Sequence, residues 1–395
     1  MAGIGTGRRV ALLVITSAAL TLGCAMAGCG APNRAASRPE TLVSKHSAGS
    51  RPLATAGLTA AGQPRYFADI VRITGSAAGA GPVQIRYSAT GALTPRQPGI
   101  HALAITAYEG GSRLLLARQA GDGCASRLYR ATVSAAGRLG RLTRVGPVVR
   151  GIVTSVAADS RGSLIGYFAG PCSKPGSGYL AVLTVRSGQI RRWTGVAVYG
   201  SGGTLATGTA ISMSATGRLL AFTGAATGAD GKLLGQRVWT LSATAPPGPL
   251  AERSRVVLKR SQSGPEISAV ALSPDGNTFY LCTVGTKGTV SAHAAVSQTA
   301  VITVRRTSDG TSTGIVAKLT ATGVTFQGFG CPMTVTPNGR YLLAPYQLRY
   351  GNNTTVPPLV RAAVIRASSH ARRALSFRLP GSAGMSVADG ITVAW

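Results

Sequence analysis

The chain has 395 residues, with 41 basic and 11 acidic side chains and a formal net charge of +30. It is long enough for a sizeable core. Aromatics are 5%, charged residues 13%, and 53 residues are glycine, a balance that argues for many short strands and turns and against long helices. The basic residues are almost all arginine and stand singly or in pairs (Arg191-Arg192, Arg305-Arg306, Arg372-Arg373), with no run of five like charges and no aromatic-interleaved basic box. That pattern excludes a specific nucleic-acid site and leaves a general attraction to anionic surfaces.

Arg8-Arg9 precede an apolar run and small residues, VALLVITSAALTLGCAMAGCG, the pattern of an export signal. Met26-Ala27-Gly28-Cys29 resembles a bacterial lipobox, so residues 1–29 read as a signal peptide with lipid attachment at Cys29. Leu22-Gly23-Cys24 is a second, weaker candidate. An uncleaved anchor over Val10–Cys29, or an ordinary cleaved signal, would equally put the rest outside the cytoplasm. The expected location is the outer face of the cell membrane, or the exterior. Residues 30–63 are rich in Ala, Ser, Pro, Thr and Arg without apolar periodicity, and read as a flexible tether.

From residue 64 to 395 the chain repeats. Glu266–Cys282, EISAVALSPDGNTFYLC, holds two alternating strand-like runs around Ser273-Pro274-Asp275-Gly276. Proline presets φ, aspartate bonds its own backbone, and glycine takes the left-handed position. The same hairpin recurs about Gly162, Gly217, Gly339 and Gly390, with a worn copy at Gly110-Gly111. The intervals between the five clearer glycines are 55, 59, 63 and 51 residues. Between the hairpins lie further strand pairs such as YLAVLTVRSGQIRRW and AVITVRRTSDGTSTGIVAKL, making four strands per period.

A period near fifty with four antiparallel strands is that of a β-propeller blade. The predicted fold is all-β: a single propeller of six four-stranded blades, with seven as the alternative. Its blades start near His101, Ile152, Thr209, Ile267 and Gln327. The sixth is shared between the termini: GMSVADGITVAW supplies its first hairpin and Arg65–Thr94 its second.

Outside the signal lie four cysteines, spaced 48, 110 and 49 residues apart, without CxxC or a nearby His pair. An exported protein with an even number favours disulfides over metal. Their places in the repeat predict Cys124–Cys172 and Cys282–Cys331, each joining neighbouring blades.

The Ser-Pro-Asp-Gly hairpins, the V-x-V-x-R strands ending in Thr-Gly or Ser-Gly turns, and the export signal together resemble exported WD40-like propeller proteins of high-GC Gram-positive bacteria. The blades are similar to those of TolB-type propellers. The resemblance covers roughly residues 64–395 and implies the fold rather than a function. Gly-His and Trp-Asp dipeptides of true WD40 repeats are absent, and Trp193 and Trp239, read as ending third strands, are not followed by Asp.

Chemistry is sparse. Asp159, Asp275 and Asp389 fall in or beside the repeated turns and Asp309 in the other kind, so they read as turn-makers. Asp122 and Glu266 are the carboxylates expected near a channel mouth. His46, His101, His293 and His370 show no ligand spacing, so no metal, cofactor or catalytic residue is assigned. Gly310–Gly314 matches GxSxG, but between two strands rather than at a strand-to-helix elbow. The expected ligand rim comprises His101, Arg150, Glu266, Gln327 and Tyr346. The function expected is that of a monomeric, non-catalytic binding propeller, held to a membrane by lipid or anchor, for a protein or an anionic envelope polymer. An envelope hydrolase or lyase is the alternative.

Overall fold

The computed structural model describes residues 63–73, 80–121, 123–170, 178–196, 210–227, 233–261, 263–287, 296–324, 331–349, 359–379 and 388–395. They form six antiparallel blades of a β-propeller. Blade I is β4 (Ala104–Tyr108), β5 (Arg113–Gln119), β6 (Ala125–Thr132) and β7 (Thr143–Arg150). Blade II is β8 (Ile152–Ala158), β9 (Leu164–Gly170), β10 (Gly178–Thr184) and β11 (Gln189–Val196). Its outer edge also pairs in parallel with the two-residue β15 (Gly248–Pro249). Blade III is β12 (Ile211–Met213), β13 (Leu219–Thr227), β14 (Leu233–Ser242) and β16 (Arg255–Arg260). Blade IV is β17 (Glu266–Leu272), β18 (Thr278–Lys287), β19 (Val296–Arg306) and β20 (Ser312–Val324). Blade V is β21 (Thr334–Val335), β22 (Tyr341–Arg349), β23 (Leu359–Arg366) and β24 (Arg372–Arg378).

The closing blade runs in the order β25 (Ala388–Ala394), β1 (Tyr66–Ile73), β2 (Gly81–Tyr87), β3 (His101–Ala102). Both ends of the propeller meet in it, as expected, but the division differs. The C-terminal segment supplies the innermost strand alone, paired from Ala68↔Ala394 to Ile73↔Ala388. The N-terminal segment supplies the other three. Gly390 is therefore a strand residue opposite Arg72, not a turn glycine, and Asp389 belongs to that strand. His101 lies on the outermost strand, not at a blade's start. Trp193 belongs to a fourth strand rather than a third, and its indole N–H donates to the Pro246 carbonyl at 2.9 Å.

The repeated turns do more than reverse the chain. The Glu109 N–H donates to the Ser160 carbonyl, Ser160 N–H to Ala215 and Ala215 N–H to Pro274, at 3.0, 3.0 and 2.9 Å. The turns of blades I to IV are thus tied side by side on one rim. Their glycines sit at the joints. Gly162 has φ +65°, and a Cβ there would fall 2.4 Å from a ring carbon of Tyr108 in the next turn. Gly188, in an outer turn, has φ +69° and nothing within 4 Å. Gly162→Ala should cost about 2–4 kcal/mol, combining left-handed strain with overlap. Gly188→Ala should cost about 1–2 kcal/mol from strain alone. Equal urea midpoint shifts for the two would contradict the close approach.

Four arginines clamp one blade to the next. Guanidiniums donate to backbone carbonyls of a neighbouring blade: Arg191 to Ala243 (2.5 Å), Arg255 to Thr307 (2.5 Å), Arg372 to Lys318 (3.0 Å) and Arg373 to Ser88 (2.7 Å). Five donors on a planar fork suit this use, which needs no acidic partner. Between those donors lie the apolar seams, such as Phe168, Trp193, Leu220 and Phe222 between blades II and III.

Cys282 is bonded to Cys331, with Cα atoms 6.1 Å apart. Cys282 lies mid-strand in β18 rather than at its end, and Cys331 just precedes β21, so the bond joins blade IV to blade V as predicted. Cys124 is also disulfide-bonded; Cys172, its expected partner, lies outside the described residues. Replacing Cys282 and Cys331 together by alanine should cost about 3–4.7 kcal/mol, the chain-entropy values that bracket a loop of this size. A loss under 1 kcal/mol in denaturant titration would contradict that role.

Candidate functional site

The six innermost strands surround a channel cavity of about 270 Å3. Its wall is built of short side chains because the strands converge there. Ala104, Ala157, Ala210, Ala269 and Ala271 line it, with Val156, Val270 and Val393. Half-buried hydroxyls punctuate this surface: Thr106, Ser155, Thr334 and Thr392. The hydroxyls of Ser212 and Ser268 are engaged in stitching blades together. Ser212 Oγ accepts the Leu272 N–H at 2.9 Å, and Ser268 Oγ the Cys331 N–H at 2.5 Å. Thr154 and Ser268 occupy matching bulges, where the register skips from Val153 to Ser155 and from Ile267 to Ala269. A bulge re-aims its extra residue, and here it interrupts the inner strand at the same level of two blades.

Two carboxylates lie on the lining. Asp159 is consumed by its own turn: it accepts the Ser163 N–H (2.7 Å), the Leu164 N–H (3.1 Å) and the Ser163 hydroxyl (2.5 Å). Glu266, the first residue of β17, stands at the opposite mouth and pairs through its backbone with Val284. Glu266 is exposed, yet the protein packed around it removes part of its water and holds its carboxyl above the ordinary 4.5. Among the described residues no three His, Cys, Asp or Glu side chains are grouped to hold a metal.

The other expected rim residues are not gathered here. His101 is exposed on the outermost strand, and its carbonyl accepts from Arg118 at 3.0 Å. Arg150 ends β7, exposed, its carbonyl bonded by the Tyr179 hydroxyl at 2.9 Å. Tyr346 packs against the blade IV–V core. Gln327 and Asp122 lie outside the described residues. Asp275 holds its turn, accepting from the Ser273 hydroxyl (2.5 Å) and the Asn277 N–H (3.1 Å), and these bonds hold its carboxyl below the ordinary 3.8. Asn338 repeats the arrangement with Thr336 and Arg340. Ser312, inside the GxSxG match, opens β20 after a hairpin turn. The hydroxyl-bearing wall was missed in the sequence. Its signal is a small polar residue inside an otherwise apolar first strand, as at Ser155, Ser212, Ser268 and Thr334.

No protein-family model matches the chain, and no curated protein matches it. Solved structures do. TolB from Acinetobacter baumannii is 13% identical, with a TM-score of 0.49, over 84% of this chain and 66% of that one. This chain thus spans just under two thirds of that TolB chain. A candidate 6-phosphogluconolactonase from Bacteroides uniformis is 13% identical, with a TM-score of 0.40, over 84% of this chain and 100% of the other. Hydrazine synthase from Kuenenia stuttgartiensis is 14% identical, with a TM-score of 0.39, over 75% and 76%. These are likenesses of chain path at low identity; the propeller assignment rests on the strand pairings above.

Proposed function

We propose that the chain is a non-catalytic, extracytoplasmic binding propeller, held to a membrane by its N-terminal segment and offering one channel mouth to a protein or an anionic envelope polymer. The observation that carries this reading is the channel wall. Its polar groups are hydroxyls, Asp159 held by its own turn, and Glu266 at the opposite mouth, an arrangement suited to hydrogen-bonding an inserted segment and ill suited to shared acid–base work. The cavity's 270 Å3 falls below the roughly 300–1,000 Å3 usual for drug-sized ligands, which favours a few residues of a larger partner. The Cys282–Cys331 bond supports an oxidising compartment. No helix among the described residues is long and apolar enough to cross a membrane; the apolar run at 10–29 lies outside them.

Capture of a partner from solubilised membranes by the full chain tests the reading. One partner should be retained by the native chain and lost on Glu266→Lys. Glu266→Gln should flatten any fall in binding as pH drops through the raised carboxyl value. Metal-dependent turnover of an envelope polymer with no retained partner would replace the proposal by the hydrolase or lyase alternative. For the anchor, Cys29→Ala should abolish lipid-dependent mass and processing. An unchanged size and unchanged membrane association would remove Cys29 from that role.

A further inference from the structure

One rim of the propeller is set apart by charge. Antiparallel alternation puts the turns joining first to second strands and third to fourth strands on it together, and the Thr307 hydroxyl, in a turn of the second kind, donates to the Gly276 carbonyl in one of the first at 2.8 Å. Nine exposed arginines stand on or beside these turns: Arg138 and Arg141 in blade I, Arg161 and Arg186 in blade II, Arg218 and Arg253 in blade III, Arg306 in blade IV, Arg340 in blade V and Arg96 in the closing blade. The acids there are largely matched. Glu109 pairs with Arg113 at 2.8 Å, and Asp159 is buried in its turn. Glu252, Asp275 and Asp309 are exposed and offset three of the nine arginines, Arg253 standing beside Glu252 and Arg306 near Asp309.

The N-terminal segment joins the propeller on this same rim. Pro64 lies beside Gly111, 3.0 Å from where a Cβ of that glycine would stand. Two residues on, the Tyr66 hydroxyl donates to the Ala135 carbonyl at 2.8 Å, in the turn that carries Arg138 and Arg141. Thr94 Oγ1 donates to the Gly137 carbonyl of that turn at 3.2 Å. The described chain thus begins, at residues 63–66, on the arginine-bearing rim.

We propose that this rim lies against anionic phospholipid headgroups, so that its arginines fix the orientation of the propeller on the membrane. The proposal rests on the reading of residues 1–63 as a membrane tether. A flexible segment the length of residues 30–63 has a mean span of roughly 30 Å, so it allows any face to touch the bilayer and selects none. Charge makes the selection. A basic surface beside a lipid anchor adds attraction for each arginine within a Debye length of the headgroups, about 8–10 Å at ordinary ionic strength. The mouth carrying Glu266 then points away from the bilayer, toward a partner.

Flotation of the full chain with vesicles tests this. The vesicles are phosphatidylcholine alone, or phosphatidylcholine with about a third phosphatidylglycerol. Native protein should favour the anionic vesicles, and the preference should fall as salt rises. Arg186→Gln, Arg218→Gln and Arg340→Gln combined should cut the anionic partition by about a hundredfold, at roughly fivefold per arginine. Arg127→Gln, Arg237→Gln and Arg361→Gln, an equal loss of charge on other strands, should leave most of the preference. Equal losses in the two sets would overturn the proposal, as would no vesicle preference in the native chain. So would retention by soluble polyphosphate that vesicles fail to compete. Circular dichroism confirms that each variant is folded. Binding to neutral vesicles reads the tether separately: its absence, with the anionic preference intact, would sink the anchor and leave the rim standing.

Discussion

Trp395→Ala should lower the unfolding free energy by about 3–5 kcal/mol, the range for truncating a large buried aromatic. Trp395 is 1% exposed. It packs with Phe67, Tyr341, Leu343, Val360 and Phe377 in the seam between blade V and the closing blade. Its ring centroid is 6.2 Å from that of Tyr341. The indole N–H donates to Ser88 Oγ at 3.1 Å and reaches the Pro64 carbonyl at 3.4 Å. One side chain thus fills the seam and ties both segments that close the ring. Trp395→Phe keeps most of the packing and loses the hydrogen bonds, so it should cost about 1–2 kcal/mol. Urea unfolding followed by circular dichroism separates the two variants. A Trp395→Ala loss under 1 kcal/mol would mean that the seam collapses onto the vacated space and that closure depends on the β1–β25 ladder alone.

What was legible in the chain follows from how far each signal reaches. The Ser273–Gly276 turn and its siblings are local chemistry, so the hairpins, the blade count and the closure of the ring could be read directly. The Cys282–Cys331 bond followed from the repeat, since it needs only the knowledge of which positions recur. The error at Gly390 has the same root: Ala-Asp-Gly looks like a turn, and only the backbone partner Arg72 shows it to be strand. His101 was assigned to blade I, one blade too late, because β3 is two residues long and merges by eye with β4. The interblade clamps were invisible. Arg255 meets the Thr307 carbonyl across 52 residues, and no local pattern specifies such an acceptor. The channel hydroxyls were visible as letters, yet their facing depends on bulges at Thr154 and Ser268 that periodicity does not reveal.

Removing one partner of the Asp69–Arg86 pair should be as damaging as losing Trp395, and its pH dependence identifies the cause. Asp69 is 0% and Arg86 1% exposed, with Arg86 Nε 2.7 Å from Asp69 Oδ1. Arg86 also donates to the carbonyls of Gly91 (3.0 Å) and Arg378 (2.9 Å), contacts the Gln84 amide oxygen, and lies 4.4 Å from the Phe377 ring centroid. The pair therefore locks the N-terminal strands to blade V. Asp69→Ala strands a buried guanidinium and should cost about 3–5 kcal/mol. Arg86→Met strands a carboxylate whose other oxygen, Oδ2, is already buried without a partner. That carboxylate has an escape the arginine lacks. Burial holds Asp69 above its ordinary 3.8 even against the pull of Arg86, and removing Arg86 takes the pull away. A raised folded-state value means stability that is present below the unfolded value, near pH 4, and lost as pH rises through the folded one. The Arg86→Met deficit should accordingly shrink between neutral pH and about pH 4, while the Asp69→Ala deficit should not, because no proton can neutralise Arg86. Replacing both together, Asp69→Leu with Arg86→Met, should cost less than either single change. Parallel deficits across pH for the two single variants would mean that packing, and not the buried charge, sets the strength of this lock.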